Sequence, residues 1–422
     1  MVRKIFRSIE ISSVSFTKGP IKIYPLAGTE EYAAQVVKTL ASYYVNYAKI
    51  HDLSLADFLM MEEDEEQEMN ASGDIQAYVA DYITGKFDYF AHRNGAIEVS
   101  IKSSARRRDV YVLHTSSECD IVDYNGVNRH LNLSDQELLL YNALDAFLEA
   151  KIDRVSVFEL NLGQARSDRP KGRGSCNLRT FFRNITANGA NHLFTYQIHS
   201  AKSLIGLDNR KTTYDNMNGE TILKKYILKN LIKNREYFNN VVQKDWIISS
   251  VDAGGKIFAS KFAKAFKIPL LVVDKRRNAL TNLVESVTVL KPDDLSIEGK
   301  VVFVVDDMID SGGSIIDVCR KYRELGAKEV NVAVVYGLFA DPAEERLQAL
   351  YKEGVINRVI VTDLVLHDED FYKRNPYIEI ADTTYLTARV LQRTNMGRSL
   401  EKYFLPLDAE AYLRDKVEKG EQ

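Results

Sequence analysis

The chain has 422 residues and a formal net charge of −3, and 45% of its residues are hydrophobic. At roughly 150 residues per domain, this length allows two or three domains that each bury a core. Because positive and negative charges nearly balance, the chain has no overall positive charge that would attract nucleic acid or an acidic membrane. We therefore expect small molecules or proteins as partners, with no nucleic acid and no membrane.

The cysteines and the apolar runs predict a cytoplasmic protein. Cys119, Cys176 and Cys319 are too few and too scattered for a disulfide framework or a zinc site, and we interpret them as packing thiols. No apolar run reaches the length that spans a membrane. The segment from Met1 to Phe16 alternates charged and apolar residues and lacks the core of a signal peptide.

The first part of the chain begins with a strand, a loop and a helix, which is typical of an α/β domain. We predict a strand over Ile21–Tyr24 and an amphipathic helix over Glu30–Ile50. Residues 51 to 90 concentrate acids without the spacing of metal ligands, which predicts a solvated acidic insertion. Strands are predicted again over Ala96–Ile101 and Asp109–His114.

A cationic loop follows the next predicted strand. Leu138–Ala150 has helical periodicity, and the strand Arg154–Leu160 enters a polar loop that carries Arg166, Arg169, Lys171 and Arg173. This loop is either a solvated surface segment or a binding element for nucleotide phosphates, whose oxygens match the guanidinium fork.

A strand predicted over Leu193–Ile198 ends at His199, and a lone histidine is more often structural than a ligand. Residues 208 to 218 are predicted to be irregular.

A second alternation of strands and helices starts after a predicted domain boundary near Gln243. The remaining predicted helices are Thr221–Phe238, Lys256–Phe266, Ser314–Leu325 and Pro342–Tyr351, and the remaining strands are Trp246–Val251, Pro269–Val273, Ser286–Leu290, Val301–Val305, Val330–Leu338 and Val359–Thr362.

Three polar motifs follow strands of this second alternation. Asp252 with two glycines, the segment Asp274 to Arg277 and the segment Asp306 to Ser314 each come directly after an apolar run. Because a mostly parallel sheet binds its ligands at the carboxyl ends of its strands, the three motifs predict an active site there.

The third motif has the composition of a ribose-phosphate site. The turn Ser311 to Ser314 opens a predicted helix, whose first N–H groups and dipole attract a phosphate. Asp306, Asp307 and Asp310 suit ribose hydroxyls or a hydrated Mg²⁺. The alternative is an ordinary strand-to-helix turn that Asp310 caps, but paired acids followed by two glycines between hydroxyl residues favour the ribose-phosphate site.

The motif DDMIDSGGS resembles the phosphoribosyl-pyrophosphate binding loop of type I phosphoribosyltransferase-fold proteins. The order of the other motifs, among them QARSDR, QIHSAKSLIG, SSVDAGG and VVDKRR, resembles the ribose-phosphate pyrophosphokinase family. The resemblance implies an α/β protein with two tandem phosphoribosyltransferase-like domains, each a mostly parallel sheet flanked by helices. We assign these domains to residues 1–243, with the insertion at about 51–90, and to residues 244–390. A helical tail, residues 391–422, is predicted to pack on the N-terminal domain.

The resemblance also implies a reaction. Members of the family move the β,γ-diphosphoryl group of Mg-ATP to the anomeric hydroxyl of ribose 5-phosphate and release AMP. The family further implies ATP bound between the two domains and across a subunit contact, in a homo-oligomer that is a dimer or a hexamer.

Site residues are carried over from the resemblance by motif. Lys275 and Arg277 match the catalytic cations. The acceptor sugar phosphate is assigned to Asp306, Asp307, Asp310, Ser311, Gly312, Gly313 and Ser314. ATP is assigned to Asn94, Arg166 and Asp168, and the Mg²⁺ of ATP to His199 and Asp252.

Three departures from the family pattern concern the nucleotide side. Gln197 stands where the family usually has Asp, Ser167 where it has Gln, and Ala96 where it has Glu. These changes bear on nucleotide geometry or control more than on the acceptor, because the acceptor loop and the cations are intact.

Three alternatives remain open from the sequence. The acceptor could be a larger ester of ribose 5-phosphate such as ADP-ribose, because the loop recognises only the ribose and one phosphate. The chain could instead be an inactive regulatory homologue of a synthetase, or an ordinary phosphoribosyltransferase that consumes the pyrophosphate.

Overall fold

A computed structural model describes residues 19–170, 172–199, 206–277 and 284–418. These residues form two compact units, one containing the residues up to Met217 together with Thr384–Tyr403, and the other containing Asn218–Thr383 and the residues from Phe404 onward. Across the described ranges, no helix is both long enough and apolar enough to cross a membrane.

Strands and helices alternate along most of both units. The strands are β1 (Ile21–Pro25), β2 (Phe87–Ala91), β3 (Ile97–Ile101), β4 (Asp109–His114), β5 (Cys119–Val122), β6 (Asn128–Leu131), β7 (Arg154–Glu159), β8 (His192–Tyr196), β9 (Thr213–Met217), β10 (Trp246–Ser250), β11 (Leu270–Arg277), β12 (Val284–Leu290), β13 (Val301–Ile309), β14 (Glu329–Gly337), β15 (Arg358–Thr362) and β16 (Ile378–Ala381).

The helices flank the two larger sheets. They are α1 (Glu30–Ile50), α2 (Leu55–Leu59), α3 (Glu63–Ala71), α4 (Ile75–Ile83), α5 (Leu133–Glu149), α6 (Asn177–Ala187), α7 (Gly219–Asn230), α8 (Arg235–Tyr237), α9 (Gln243–Asp245), α10 (Lys256–Phe266), α11 (Gly313–Glu324), α12 (Ala343–Lys352), α13 (Glu369–Arg374), α14 (Thr384–Asn395) and α15 (Ala409–Glu418). A π-helical segment, Phe238–Val242, follows α8, and a 3-10 turn, Glu401–Tyr403, follows α14. The predicted α/β class is confirmed.

The first unit contains a five-stranded parallel sheet in the order β1-β4-β7-β8-β9. Every residue of β4 is buried, including the polar Asp109 and His114 at its two ends. The irregular structure predicted over residues 208 to 218 is wrong at Thr213–Met217, which forms the edge strand β9. Of its residues only Met217 is buried, so this strand has no apolar pattern that the sequence could reveal.

The acidic insertion is partly a packed element. Within residues 51–90, α4 packs on α1 and β1 and buries Val79 and Ile83. The guanidinium of Arg108 lies over the Tyr82 ring, 4.9 Å from its centroid, and anchors α4 further. The acidic α3 buries only Met69, so the acids remain solvated as predicted.

The predicted tail, residues 391–422, divides between the two units. Helix α14 begins earlier, at Thr384, and packs on α1 of the first unit. Its Thr387 hydroxyl is hydrogen-bonded to Tyr32 at 2.6 Å and to Tyr196 at 2.8 Å. Helix α15 belongs to the second unit, where Glu410 forms an ion pair with Lys267 at 2.6 Å.

The second unit contains a seven-stranded sheet in the order β12-β11-β10-β13-β14-β15-β16. Its strands are parallel except β12, which pairs antiparallel with β11 at one edge. Helix α7, which we assigned from the sequence to the N-terminal domain, packs on β14, β15 and β16 and therefore groups with this sheet.

Candidate active site

The order of strands in the second sheet creates a crevice at its centre. From β10 the chain passes to β11 and β12 on one side, and from β13 it passes to β14, β15 and β16 on the other. Strands β10 and β13 are neighbours, with Ser250 paired to Val305. Such a reversal of strand order leaves a ligand crevice at the carboxyl ends of the two strands.

The turn after β13 is shaped for an anion. Gly312 has φ of +75°, a left-handed conformation that glycine adopts at little cost, and it precedes α11. Gly312 occupies the N-cap position of this helix and has no side chain that could cap it. The first N–H groups of a helix point toward the turn that precedes it, where they can bind an anion, as expected of a phosphate-binding loop.

Carboxylates lie beside this turn and influence one another. The sequence places Asp306 and Asp307 after a strand, but β13 continues to Ile309, and Asp306 pairs with Val334 of β14. Burial and the negative charges of Asp307 and Asp252 raise the pKa of Asp306 to about 7. A cation or a sugar diol between these acids would relieve this repulsion.

Asp252 also has a local structural role at the end of β10. Its Oδ1 accepts a hydrogen bond of 3.0 Å from the N–H of Gly255, the residue before α10. A Cβ atom on Gly254 would lie 3.1 Å from Oδ1 of Asp252, which is tighter than an ordinary contact, and one on Gly255 would lie 3.5 Å from Oδ1 of Asp306, which is an ordinary contact. The motif therefore brings a second strand end against the acids of β13.

Lys275 reaches the same turn from β11. Its Nζ donates a hydrogen bond of 2.6 Å to the carbonyl oxygen of Ser314 in the first turn of α11. Arg277 ends β11, beside a bulge in the pairing with β12, and its side chain lies outside the described residues. The second unit thus brings together Asp252, Lys275, Asp306, Asp307 and the turn Asp310 to Ser314.

Residues 212–366, which contain all of these side chains, match the sequence model of the phosphoribosyl transferase domain. The chain is 31% identical over 314 residues to the ribose-phosphate pyrophosphokinase of Synechococcus elongatus, covering 74% of this chain and 83% of that protein. The chain belongs to the ribose-phosphate pyrophosphokinase family.

Two further comparisons extend the similarity, one in sequence and one in fold. The ribose-phosphate pyrophosphokinase of Clostridium acetobutylicum is 28% identical over 331 residues, which cover 78% of this chain and 91% of that protein. The crystal structure of phosphoribosylpyrophosphate synthetase from Mycobacterium smegmatis is similar in fold, with a TM-score of 0.64 and 22% identity over 89% of this chain and 98% of that one.

The three residues assigned to ATP from the family motifs lie in the first unit, as does His199, which was assigned to the Mg²⁺ of ATP. Arg166 is exposed and Asp168 is half-buried in the loop after β7, and His199 is exposed after the neighbouring strand β8. Asn94 forms the turn between β2 and β3, where its Oδ1 accepts a hydrogen bond of 3.1 Å from the N–H of Ala96. Three of the four therefore follow adjacent strand ends of the first sheet.

The departures from the family pattern have local structural partners. Ser167 Oγ accepts a hydrogen bond of 3.0 Å from the N–H of Asn177, and its carbonyl accepts one of 3.3 Å from Leu178. Ser167 therefore satisfies two N–H groups at the start of α6. Gln197 has φ of +35°, and its N–H donates to the Met217 carbonyl at 2.9 Å.

One supporting network escaped sequence analysis. Tyr322 of α11 donates a hydrogen bond of 2.6 Å to Ser249 Oγ, which donates one of 2.8 Å to the Ser250 carbonyl. This chain of hydrogen bonds attaches the phosphate-loop helix to β10, beneath the crevice. The sequence feature that could have indicated this network is the pair Ser249 and Ser250 within an otherwise apolar strand.

Proposed function

We propose that this protein transfers the β,γ-diphosphoryl group of ATP to the anomeric hydroxyl of ribose 5-phosphate, giving 5-phosphoribosyl 1-pyrophosphate and AMP. The observation that carries the proposal is the glycine turn at the start of α11, beside Asp306 and Asp307 and in contact with Lys275, in a chain of the ribose-phosphate pyrophosphokinase family.

The acceptor is assigned to β13 and the turn that follows it. Asp307 and Asp310, with Asp306 beside them, bind the ribose hydroxyls, since carboxylates accept hydrogen bonds from a diol. The N–H groups and hydroxyls from Ser311 to Ser314 bind the 5-phosphate. The anomeric hydroxyl then faces the incoming diphosphoryl group.

Lys275 and Arg277 supply positive charge to the transferred group. Phosphoryl transfer spreads negative charge over the equatorial oxygens, so preorganised cations contribute more than any covalent partner. The bond between Lys275 and Ser314 supports this role, because it holds the ammonium group at the edge of the acceptor loop.

The reaction calls for Mg²⁺, and the second unit has acids that fit it. The raised pKa of Asp306, caused by burial and by neighbouring Asp307 and Asp252, marks a place with excess negative charge. Across the described ranges no three potential ligands cluster around a preformed metal site. This agrees with an ion that one or two carboxylates hold together with substrate phosphates. We assign Asp252 and His199 as its protein ligands, and the ion would neutralise phosphate charge when bound.

The nucleotide side of the proposal rests on the first unit. We assign Asn94, Arg166 and Asp168 to ATP, because Arg166 is exposed at a strand end and a guanidinium matches phosphate oxygens. The proposal includes a homo-oligomer, either a dimer or a hexamer, and a cytoplasmic location.

The test is a product analysis with purified protein. Mg-ATP is incubated separately with ribose 5-phosphate, with ribose and with ADP-ribose, and AMP and the phosphorus resonances of a new diphosphate are followed. We expect AMP and an anomeric diphosphate with ribose 5-phosphate and none with ribose. Absence of AMP with every phosphorylated acceptor would overturn the proposal. If AMP forms with ADP-ribose alone, ADP-ribose is the acceptor in place of ribose 5-phosphate.

A further inference from the structure

Arg346 lies against the outer side of the acceptor loop. It belongs to the first turn of α12, and its guanidinium Nη1 donates a hydrogen bond of 3.2 Å to the carbonyl oxygen of Ser311. The same nitrogen lies 3.9 Å from the point where a Cβ atom on Gly313 would be. The side chain therefore reaches the turn from a different element than Lys275 does.

The charge of Arg346 is not compensated by a carboxylate within the described ranges, unlike the charges of Arg320 and Arg374 in the same unit. Arg320 is paired with Glu353 at 2.5 Å, and Arg374 with Glu344 at 3.3 Å. Arg346 is exposed, it has no carboxylate partner among the described residues, and the Ser311 carbonyl is its single hydrogen-bond acceptor there. Its other N–H groups are available to a ligand.

A guanidinium in this position suits a phosphate. Its planar fork matches two phosphate oxygens, and hydrogen bonds to an ionised group are stronger than those between neutral groups. Gly313 begins α11, so a phosphate at the N–H groups of this turn would have the helix start on one side and Arg346 beside it. The two positive elements would act on the same anion.

We propose that Arg346 is a further acceptor-binding residue, which contacts the 5-phosphate of the sugar from the outer side of the loop. The inference rests on the proposed function, since it takes ribose 5-phosphate as the acceptor. It assigns to Arg346 part of the discrimination between phosphorylated and unphosphorylated sugars, a role that no motif in the sequence indicated.

The experiment measures ribose 5-phosphate binding by calorimetry without ATP, and then the steady-state kinetics with Mg-ATP. For Arg346→Gln we expect the dissociation constant and the KM of ribose 5-phosphate to rise about 10- to 100-fold, the range of one charge-assisted hydrogen bond. The KM of ATP should stay within about twofold. Arg346→Lys should recover part of the lost affinity, because lysine keeps the positive charge but lacks the two-pronged guanidinium geometry.

Arg320→Gln is the matched control, because Arg320 is an exposed arginine of the neighbouring helix α11 whose partner is Glu353. We expect its acceptor affinity to equal that of the wild type. Equal affinity of Arg346→Gln and the wild type would overturn the inference alone. If the wild type neither binds ribose 5-phosphate nor forms AMP, the proposed function fails and the inference fails with it.

Discussion

Lys275 and Ser314 are joined by a hydrogen bond of 2.6 Å from the ammonium group to the backbone carbonyl, although they are far apart in sequence. The bond connects the carboxyl end of β11 with the first turn of α11. A cation proposed to act on the transferred diphosphoryl group thus contacts the loop proposed to hold the acceptor. Occupancy of the loop and the position of this cation are therefore physically linked.

Replacing Lys275 by alanine should lower kcat by roughly 10²-fold or more, the scale of losing one preorganised electrostatic donor. Steady-state rates of AMP formation with saturating ribose 5-phosphate measure this loss. A change within a few-fold would remove Lys275 from the mechanism. Lys300→Ala is the control, because Lys300 also donates to a backbone carbonyl, that of Lys244 at 2.9 Å, but lies at the amino end of β13.

Gly312→Ala should weaken both the fold and acceptor binding. The added Cβ would make only ordinary contacts, the nearest at 3.6 Å from Ile316, so the cost arises from φ of +75° and is roughly 1–2 kcal/mol. Chemical unfolding and ribose 5-phosphate titration measure the two effects. Gly354→Ala is a matched control, since Gly354 has φ of +69° with no atom near its Cβ position. Equal acceptor affinity in both variants would exclude the turn at Gly312 from the phosphate site.

Asp307→Asn should raise the KM of ribose 5-phosphate about tenfold and also lower kcat, because an amide accepts hydrogen bonds from the sugar hydroxyls less strongly than a carboxylate. Initial rates over a range of acceptor concentrations test this. Asp245→Asn should leave both constants unchanged, since Asp245 directly precedes β10, at the end of the sheet opposite the crevice. An unchanged acceptor KM in Asp307→Asn would contradict the assigned role.

His114 and Glu159 form a buried ion pair in the first unit, with Nδ1 and Oε2 2.5 Å apart. Burial lowers the pKa of His114, but the charge and hydrogen bond of Glu159 more than offset this and raise it above its ordinary value. Glu159→Gln should destabilise the fold by roughly 1–3 kcal/mol, because it removes a charge-assisted hydrogen bond and leaves a buried imidazole whose pKa is then lowered by burial. Adding His114→Gln should recover part of this loss, and urea unfolding of all four proteins tests the expectation.

The same pair predicts a pH dependence of stability. A histidine whose pKa is raised on folding stabilises the native state fully below its unfolded pKa, near 6.5, and this contribution disappears as the pH rises through the higher folded value. Relative to the double variant, the free energy of unfolding of the wild type should therefore decrease above pH 6.5. A pH-independent difference would show that His114 is neutral in the native state.

The local periodicity of the sequence was sufficient to locate the helices α1, α5, α7, α10, α11 and α12 and most of the buried strands. The bounds of α1, α10 and β4 agree with the predictions, because their apolar residues recur at the spacing of one buried face or form one continuous buried run. The edge strand β9 escaped prediction, because it has one buried residue and therefore no apolar pattern. The bond from Arg346 to Ser311 could not be predicted either, because the sequence does not show which residues of separate elements meet.

The sequence by itself determined the phosphate turn of this protein. Glycines that tolerate positive φ, acids on an apolar strand and a helix start are local properties of neighbouring residues. Only the tertiary structure decided that Lys275 binds the Ser314 carbonyl, that Asp252 acts on the pKa of Asp306, and that α14 packs on α1. These contacts join residues far apart in sequence, and they depend on strand order and burial, which local periodicity does not specify.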